Sequence, residues 1–247
     1  MIIKGKDIDE VLYKTSKALI EAPEYSPRGL KTKELIKPQL LIEKPEYSVI
    51  TNPGRKLSKK YLNAEMDWYL SGEKNVEKIR KFSSMWDKIK DKDGNVNSNY
   101  GEIVFYQSLD NFNGTQFDWV IESLKKDKDS RQAIINFNQP KHKDIDTEDF
   151  VCTLGTQYLI RDNKIHSFTD MRSNDLIYGF SYDFPFFSFV QDKILKQLQT
   201  DYPDLKMGSN THTATSLHVY EKHFNMLENI VSEYEKGNIK SKKISEL

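Results

Sequence analysis

Apolar positions recur at helical spacing in residues 7–22 (DIDEVLYKTSKALIEA), where Ile8, Val11, Leu12, Leu19 and Ile20 share one face. That period, with an acidic first turn, predicts a helix. Residues 30–44 (LKTKELIKPQLLIEK) alternate imperfectly around Pro38, which cannot donate to a ladder, and predict an edge-type strand. Residues 57–70 predict a helix that opens on Ser58 and stops before Gly72. A further helix is predicted over 116–126 around Phe117, Trp119, Val120 and Leu124. Strand-like stretches follow at 131–137, 151–161 and 164–171, the last two joined by a tight Asp162-Asn163 turn. Residues 184–199 are the most apolar segment and predict a buried helix, followed by a strand near 206–219 and an amphipathic helix near 221–235. Helices and strands interleave without regular βαβ spacing, so the predicted class is α+β.

Composition narrows the functional classes. The chain has 247 residues, room for one large domain or two small ones that bury about 70–75% of the unfolded surface. The expectation is one domain over 1–247, with the charged tail 240–247 frayed. Lys+Arg and Asp+Glu are both 37, so no broad basic field exists to hold a nucleic-acid backbone. A phosphate must then be met by local arginines, which favours a small phosphorylated ligand. The single cysteine fits a reducing compartment, and the start MIIKGK lacks a signal-peptide core. A cytoplasmic protein with no membrane partner is expected. GxxxxGK, GxGxxG, HExxH and CxxC are all absent from the sequence, which gives no support to NTP, dinucleotide or metal chemistry.

Taken alone, each candidate side chain has an ordinary explanation. A lone cysteine such as Cys152 is most often a small buried hydrophobe, and catalysis needs a thiolate beside a cation. If 151–161 and 164–171 form a hairpin, Arg172 returns towards Cys152. Arg131 and Arg172 read as surface ion-pair partners, Glu65 as a solvated charge, and Trp68 and Trp86 as core. His218 and Tyr220 alternate on a predicted strand. Asp175 and Asp183 read as turn or cap residues, and Asp183 directly precedes the apolar helix as a natural N-cap.

Their order is more informative. DSRQAIINFNQP, FVCTLGTQYLIRDNKI, DMRSNDLIYGFSYD and SLHVYEKHF succeed one another, with NSNYG (97–101) and the Glu65/Trp68 helix upstream. Together these blocks resemble the thymidylate synthase family across roughly residues 25–235. Their wording in NSNYG, YLIRD, MRSND and SLHVY is similar to the bacteriophage deoxycytidylate hydroxymethylases within it.

The resemblance implies a mixed β-sheet packed against helices, with one sheet face forming a homodimer interface. It implies 5,10-methylenetetrahydrofolate as co-substrate, no metal, and no nucleic acid in catalysis. Cys152 would add to C6 of a pyrimidine, with Glu65 as acid/base and Tyr100 in its water network. Arg28, Arg172 and Ser173 would hold the 5′-phosphate, joined by Arg131 from the other subunit. His218 and Tyr220 would bind the sugar, and Asp175, Trp86 and Gly179 would face the folate. Two positions depart from the family pattern: Gln132 follows Arg131 where a second arginine is common, and Thr153 follows the nucleophile where histidine is common.

The last motif position carries the choice of base. Methylating members have asparagine there, which complements uracil; this chain has Asp183, an acceptor-only carboxylate suited to the amino edge of cytosine. The expected activity is hydroxymethylation of dCMP, with dUMP hydroxymethylase, thymidylate synthase or CMP hydroxymethylase as alternatives. The ending GNIKSKKISEL lacks the apolar closing tail of methylating relatives, which favours attack by water over hydride transfer. From another class, a non-catalytic nucleotide- or RNA-binding relative stays open.

Overall fold

A computed structural model describes residues 1–246. In chain order the strands are β1 (Ile2–Gly5), β2 (Glu24–Tyr25), β3 (Thr32–Ile36), β4 (Gln39–Ile42), β5 (Ser108–Leu109), β6 (Phe112–Thr115), β7 (Ile134–Asn136), β8 (Thr153–Arg161), β9 (Lys164–Asp175) and β10 (Lys206–Tyr220). The helices are α1 (Ile8–Ile20), α2 (Lys59–Ser71), α3 (Trp86–Ile89), α4 (Tyr100–Phe105), α5 (Gln116–Lys126), α6 (Ser181–Leu198) and α7 (Phe224–Glu235). They form two compact units, one of Met1–Leu57 with the chain from Ile160 onward, the other of Ser58–Leu159.

The first unit is a mixed sheet ordered β1-β4-β10-β9. β1 runs parallel to β4, β4 antiparallel to β10, and β9 parallel to β10. The expected edge strand over 30–44 is two strands: β3, whose outer side is covered only at Thr32 and Lys33, and β4, which lies inside the sheet. β4 sits between β1 and β10, while β3 pairs with β10 and β2. The break falls at Lys37, whose φ of 46° turns the chain, and Pro38 occupies the gap where no ladder N–H is required. Asp162 and Asn163 both have positive φ, 50° and 56°, the geometry of a two-residue hairpin turn between β8 and β9.

Burial of apolar stripes fixes the helices of this unit. Ile8, Val11, Leu12 and Leu19 of α1 are fully buried, each contributing about 1.5–3 kcal/mol of transfer free energy. Tyr13 of α1 stacks on Tyr234 of α7 at 4.4 Å. Inside α6, Gln191 donates to the carbonyls of Ile165 and Ser209 at 2.9 and 3.2 Å, tying the helix to β9 and β10. The buried carboxylate of Asp9 accepts from the amides of Thr51 and Asn52 and from the Ser241 hydroxyl at 3.0, 3.1 and 2.8 Å. Lys242 exchanges backbone hydrogen bonds with Val49 at 2.9 and 3.0 Å. The tail expected to fray over 240–247 is thus anchored at its start, and Leu247 lies outside the described residues.

In the second unit, Ser58 caps α2 by accepting from the Tyr61 amide, and Gly72 ends the helix at φ 68°. Helices α2 and α4 approach closely at Gly101, where an added Cβ would lie 1.8 Å from the backbone oxygen of Tyr69. Gln116 at the start of α5 bridges the carbonyls of Ile103 and Asn136 at 3.1 and 3.0 Å, and so joins α4 to β7. Among the described residues of the chain, no helix is long and apolar enough to cross a membrane.

Gly101→Ala tests this close approach. Alanine propagates a helix better by about 1 kcal/mol, yet the clash must part α2 from α4 at a net cost of about 3 kcal/mol or more. Urea unfolding should show that loss; an equal or higher midpoint would refute the packing described.

Candidate active site

In the second unit, the helical register of α2 places Tyr61 and Glu65 four residues apart on one face. The Tyr61 hydroxyl donates to Glu65 Oε1 at 2.6 Å and accepts from Trp86 Nε1 at 3.2 Å. Glu65 is only 6% exposed, so it is not the solvated surface charge that an amphipathic helix suggests by default. Trp86 is 3% exposed and packs on Trp68 at 4.8 Å. Its ring therefore offers little surface for the folate packing expected of it, and serves here to orient Tyr61. Tyr61 was missed by sequence reasoning; its position one helical turn before Glu65 is the signal that marks it.

Tyr100, at the start of α4, is buried and stacks on Tyr69 at 5.5 Å. The preceding Asn99 caps α4 through the Glu102 amide at 2.8 Å and donates to the carbonyls of Trp68 and Glu73 at 3.0 and 2.9 Å. Asp149 holds the same loop from the other side. Its carboxylate accepts from the amides of Asn97 and Ser98 at 2.5 and 2.8 Å, and from the Ser98 hydroxyl. Three residues after Asp149 comes Cys152, a half-buried thiol at the entrance to β8. Asn138 donates to the carbonyl of Val151 at 2.8 Å and so fixes the peptide leading into the cysteine. Asp149 thereby ties the tyrosine-bearing loop to the segment carrying the thiol. Arg131 is exposed on this unit, its carbonyl accepting from Gln157 at 2.8 Å.

In the first unit, Arg172 and Ser173 are half-buried near the end of β9. The strand ends at Asp175, which caps a π-helical turn over Leu176–Phe180 by accepting from the Ile177 and Tyr178 amides at 2.7 and 2.5 Å. Its other oxygen is buried without a partner. Burial raises the Asp175 pKa, opposed by the Tyr178 amide and by His218, which lies in register on β10.

The π turn runs directly into α6, so Asp183 is the third residue of that helix and not its N-cap. Its Oδ2 accepts from Asn174 Nδ2 at 2.7 Å. Gly179 makes room for this bond: a Cβ there would lie 2.6 Å from Asn174 Nδ2 and 3.2 Å from Asp183 Oδ2. Asp183 is half-buried, and desolvation raises its pKa to about 6; the Asn174 bond lowers it and the Asp175 charge raises it.

Arg55, also missed by sequence reasoning, is buried and bonds Ser181 Oγ at 3.0 Å and the Ile177 carbonyl at 2.6 Å. Nothing in its local sequence marks it as the clamp of a turn more than a hundred residues away. His218 meets Tyr220 edge-on at 5.2 Å on β10. Arg28 is exposed in a turn where its φ is 54°. The structure thus brings Glu65 together with Trp86 in one unit, and Asp175, Gly179 and Asp183 together in the other. No group of acidic, His or Cys side chains among the described residues is arranged to hold a metal ion.

The family model described as Thymidylate synthase matches residues 21–245. The chain belongs to the thymidylate synthase family. It is 33% identical to the deoxycytidylate 5-hydroxymethyltransferases of Enterobacteria phages T6 and T4, over 81% of this chain and 80% of each relative. It is 27% identical to the deoxyuridylate hydroxymethyltransferase of Bacillus phage SP01, over 83% of this chain and 55% of that protein. Thermostable thymidylate synthase A from Bacillus subtilis shares the fold, with a TM-score of 0.66 at 20% identity over 94% of this chain and 85% of that one. Membership makes the protein a folate-dependent one-carbon transferase acting on a pyrimidine nucleotide.

Asp149→Ala should strand the donors of Asn97 and Ser98 at a cost of about 2–4 kcal/mol. Hydrogen exchange at those two amides should accelerate well beyond the rest of the unit. Unchanged protection there would show that Asp149 does not hold the loop.

Proposed function

We propose that the protein hydroxymethylates dCMP at C5. The observation that carries this reading is Asp183, a carboxylate at the base-reading motif position with a pKa raised to about 6. Neutral cytosine offers N4–H as donor and N3 as acceptor, so a carboxyl group closes a two-bond fork when one proton is shared with N3. A carboxyl titrating near neutrality supplies that proton more readily than an ordinary aspartate at about 4. Protonation at N3 also draws electron density out of the ring, which favours thiolate addition at C6. Facing uracil, an ionised Asp183 would meet O4 with no hydrogen between them, at a cost of about 1–3 kcal/mol.

When bound, 5,10-methylenetetrahydrofolate supplies a one-carbon unit at the oxidation level of formaldehyde. The unpartnered oxygen of Asp175 is a buried acceptor that fits the N–H donors of a pterin. Cys152 adds to C6 and makes C5 nucleophilic, and its departure restores the aromatic ring. Glu65, oriented by Tyr61 and with Tyr100 in its water network, removes the C5 proton and activates the water that completes the hydroxymethyl group. The sum is dCMP, methylenetetrahydrofolate and water giving 5-hydroxymethyl-dCMP and tetrahydrofolate. That the phage relatives are named hydroxymethyltransferases supports water over hydride in the final step.

Arg28, Arg172 and Ser173 hold the phosphate, and His218 and Tyr220 the sugar. Arg131 reaches the phosphate bound by a second copy. Phe168, an exposed apolar side chain on β9, supports a sheet face covered by that copy.

Incubation with dCMP and methylenetetrahydrofolate should yield a product heavier by one CH2O, identified by mass spectrometry, without dihydrofolate. Cys152→Ser should abolish turnover, and Asp183→Asn should move the kcat/KM preference towards dUMP by roughly tenfold or more. Undiminished dCMP preference in Asp183→Asn would overturn the assignment of the base reader.

A further inference from the structure

Asn174 precedes Asp175 on β9, is 4% exposed, and points its amide nitrogen at Asp183 Oδ2 from 2.7 Å. We propose that Asn174 is the positioning residue of the base reader: its N–H occupies Asp183 Oδ2, fixes the carboxyl plane and confines any proton to Oδ1. The inference rests on the reading of Asp183 given above.

The physical consequence is selectivity. A protonated carboxyl carries one donor and one acceptor, and with its proton mobile it can match either base by exchanging the two oxygens. Cytosine needs the donor towards N3 and the acceptor towards N4; uracil needs the reverse. A fixed N–H on Oδ2 disfavours the proton there, so with Oδ1 towards N3 the order of donor and acceptor is set for cytosine before the nucleotide arrives. Gly179 supports the device, because any side chain at that position would intrude on the Asn174–Asp183 contact. Asn174 Oδ1 is buried without a partner, so the amide is held in place by its donor side.

Asn174 also acts on protonation. Its donation stabilises the carboxylate, against desolvation and the charge of Asp175 at the end of β9. His218 on β10 acts on Asp175, and Arg55 clamps the Ile177 carbonyl in the turn between them. Removing the donor therefore raises the pH at which Asp183 gives up its proton. Since neutral cytosine requires that proton, kcat/KM for dCMP falls on the alkaline side of the Asp183 pKa, and this limb moves up with it.

The test is steady-state kinetics with dCMP and dUMP across pH for the wild type, Asn174→Leu, Asn174→Ser and Asp183→Asn. Asn174→Leu removes the donor and should lower the dCMP/dUMP ratio of kcat/KM roughly tenfold or more, with the alkaline limb raised by about one pH unit. Asn174→Ser keeps a hydroxyl donor and should recover most of the ratio, which a purely structural defect would not allow. If Asn174→Leu fails to fold, Asn174→Ala is read in the same way. A folded donorless variant with unchanged ratio and unchanged limb overturns the inference. If Asp183→Asn also leaves dCMP preference intact, the base-reader assignment itself has failed. If only Asp183→Asn moves the preference, the assignment stands and the role of Asn174 falls.

Discussion

An acceptor kept out of bulk water is the constraint on which the end of β9 and the turn after it depend. Asp175 closes the π turn with one oxygen and leaves the other without a donor. The turn delivers Asp183 to the first turn of α6, where Asn174 meets it. Desolvation of two neighbouring carboxyls is expensive, and orphaned buried acceptors are rare in native proteins. Their concentration at the end of β9 supports the ligand-binding role proposed for this turn. Arg55 braces the turn through a backbone carbonyl and a hydroxyl, so the cation supports the geometry without pairing directly with either carboxylate.

In the second unit, hydrogen bonds hold still the groups for which a reactive role is proposed. Glu65, Tyr61 and Trp86 form a chain of hydrogen bonds in which each member orients the next. Asp149 and Asn99 pin the loop before Tyr100 from opposite sides. Such support matters because small displacements of a catalytic group cost large factors in rate. Arg28 and Arg131, by contrast, are exposed.

Helices α1 and α5 were legible from their apolar positions, and α2 from Ser58 at its start and Gly72 at its end. The Asp162-Asn163 turn was legible because these residue types tolerate positive φ. The stretch 30–44 was misread because Lys37, with no glycine to announce it, takes a φ of 46° and splits the run in two. β1 and the short elements α3, α4, β5 and β6 carry too few residues for a period to show. Asp183 looked like an N-cap since a π turn leaves no signature of its own ahead of α6.

By itself the sequence determined the family, the α+β class, the lone thiol and the aspartate in place of asparagine at position 183. These are properties of residue identity and order, which survive without any knowledge of contacts. Tertiary structure alone decided that Asn174 bonds Asp183, that Tyr61 orients Glu65, that Asp149 holds the loop before Tyr100, and that Arg55 clamps a distant turn. Each is a hydrogen bond whose value comes from the exclusion of water around it. Exclusion of water is a property of the packed chain, and no local pattern of residues encodes it.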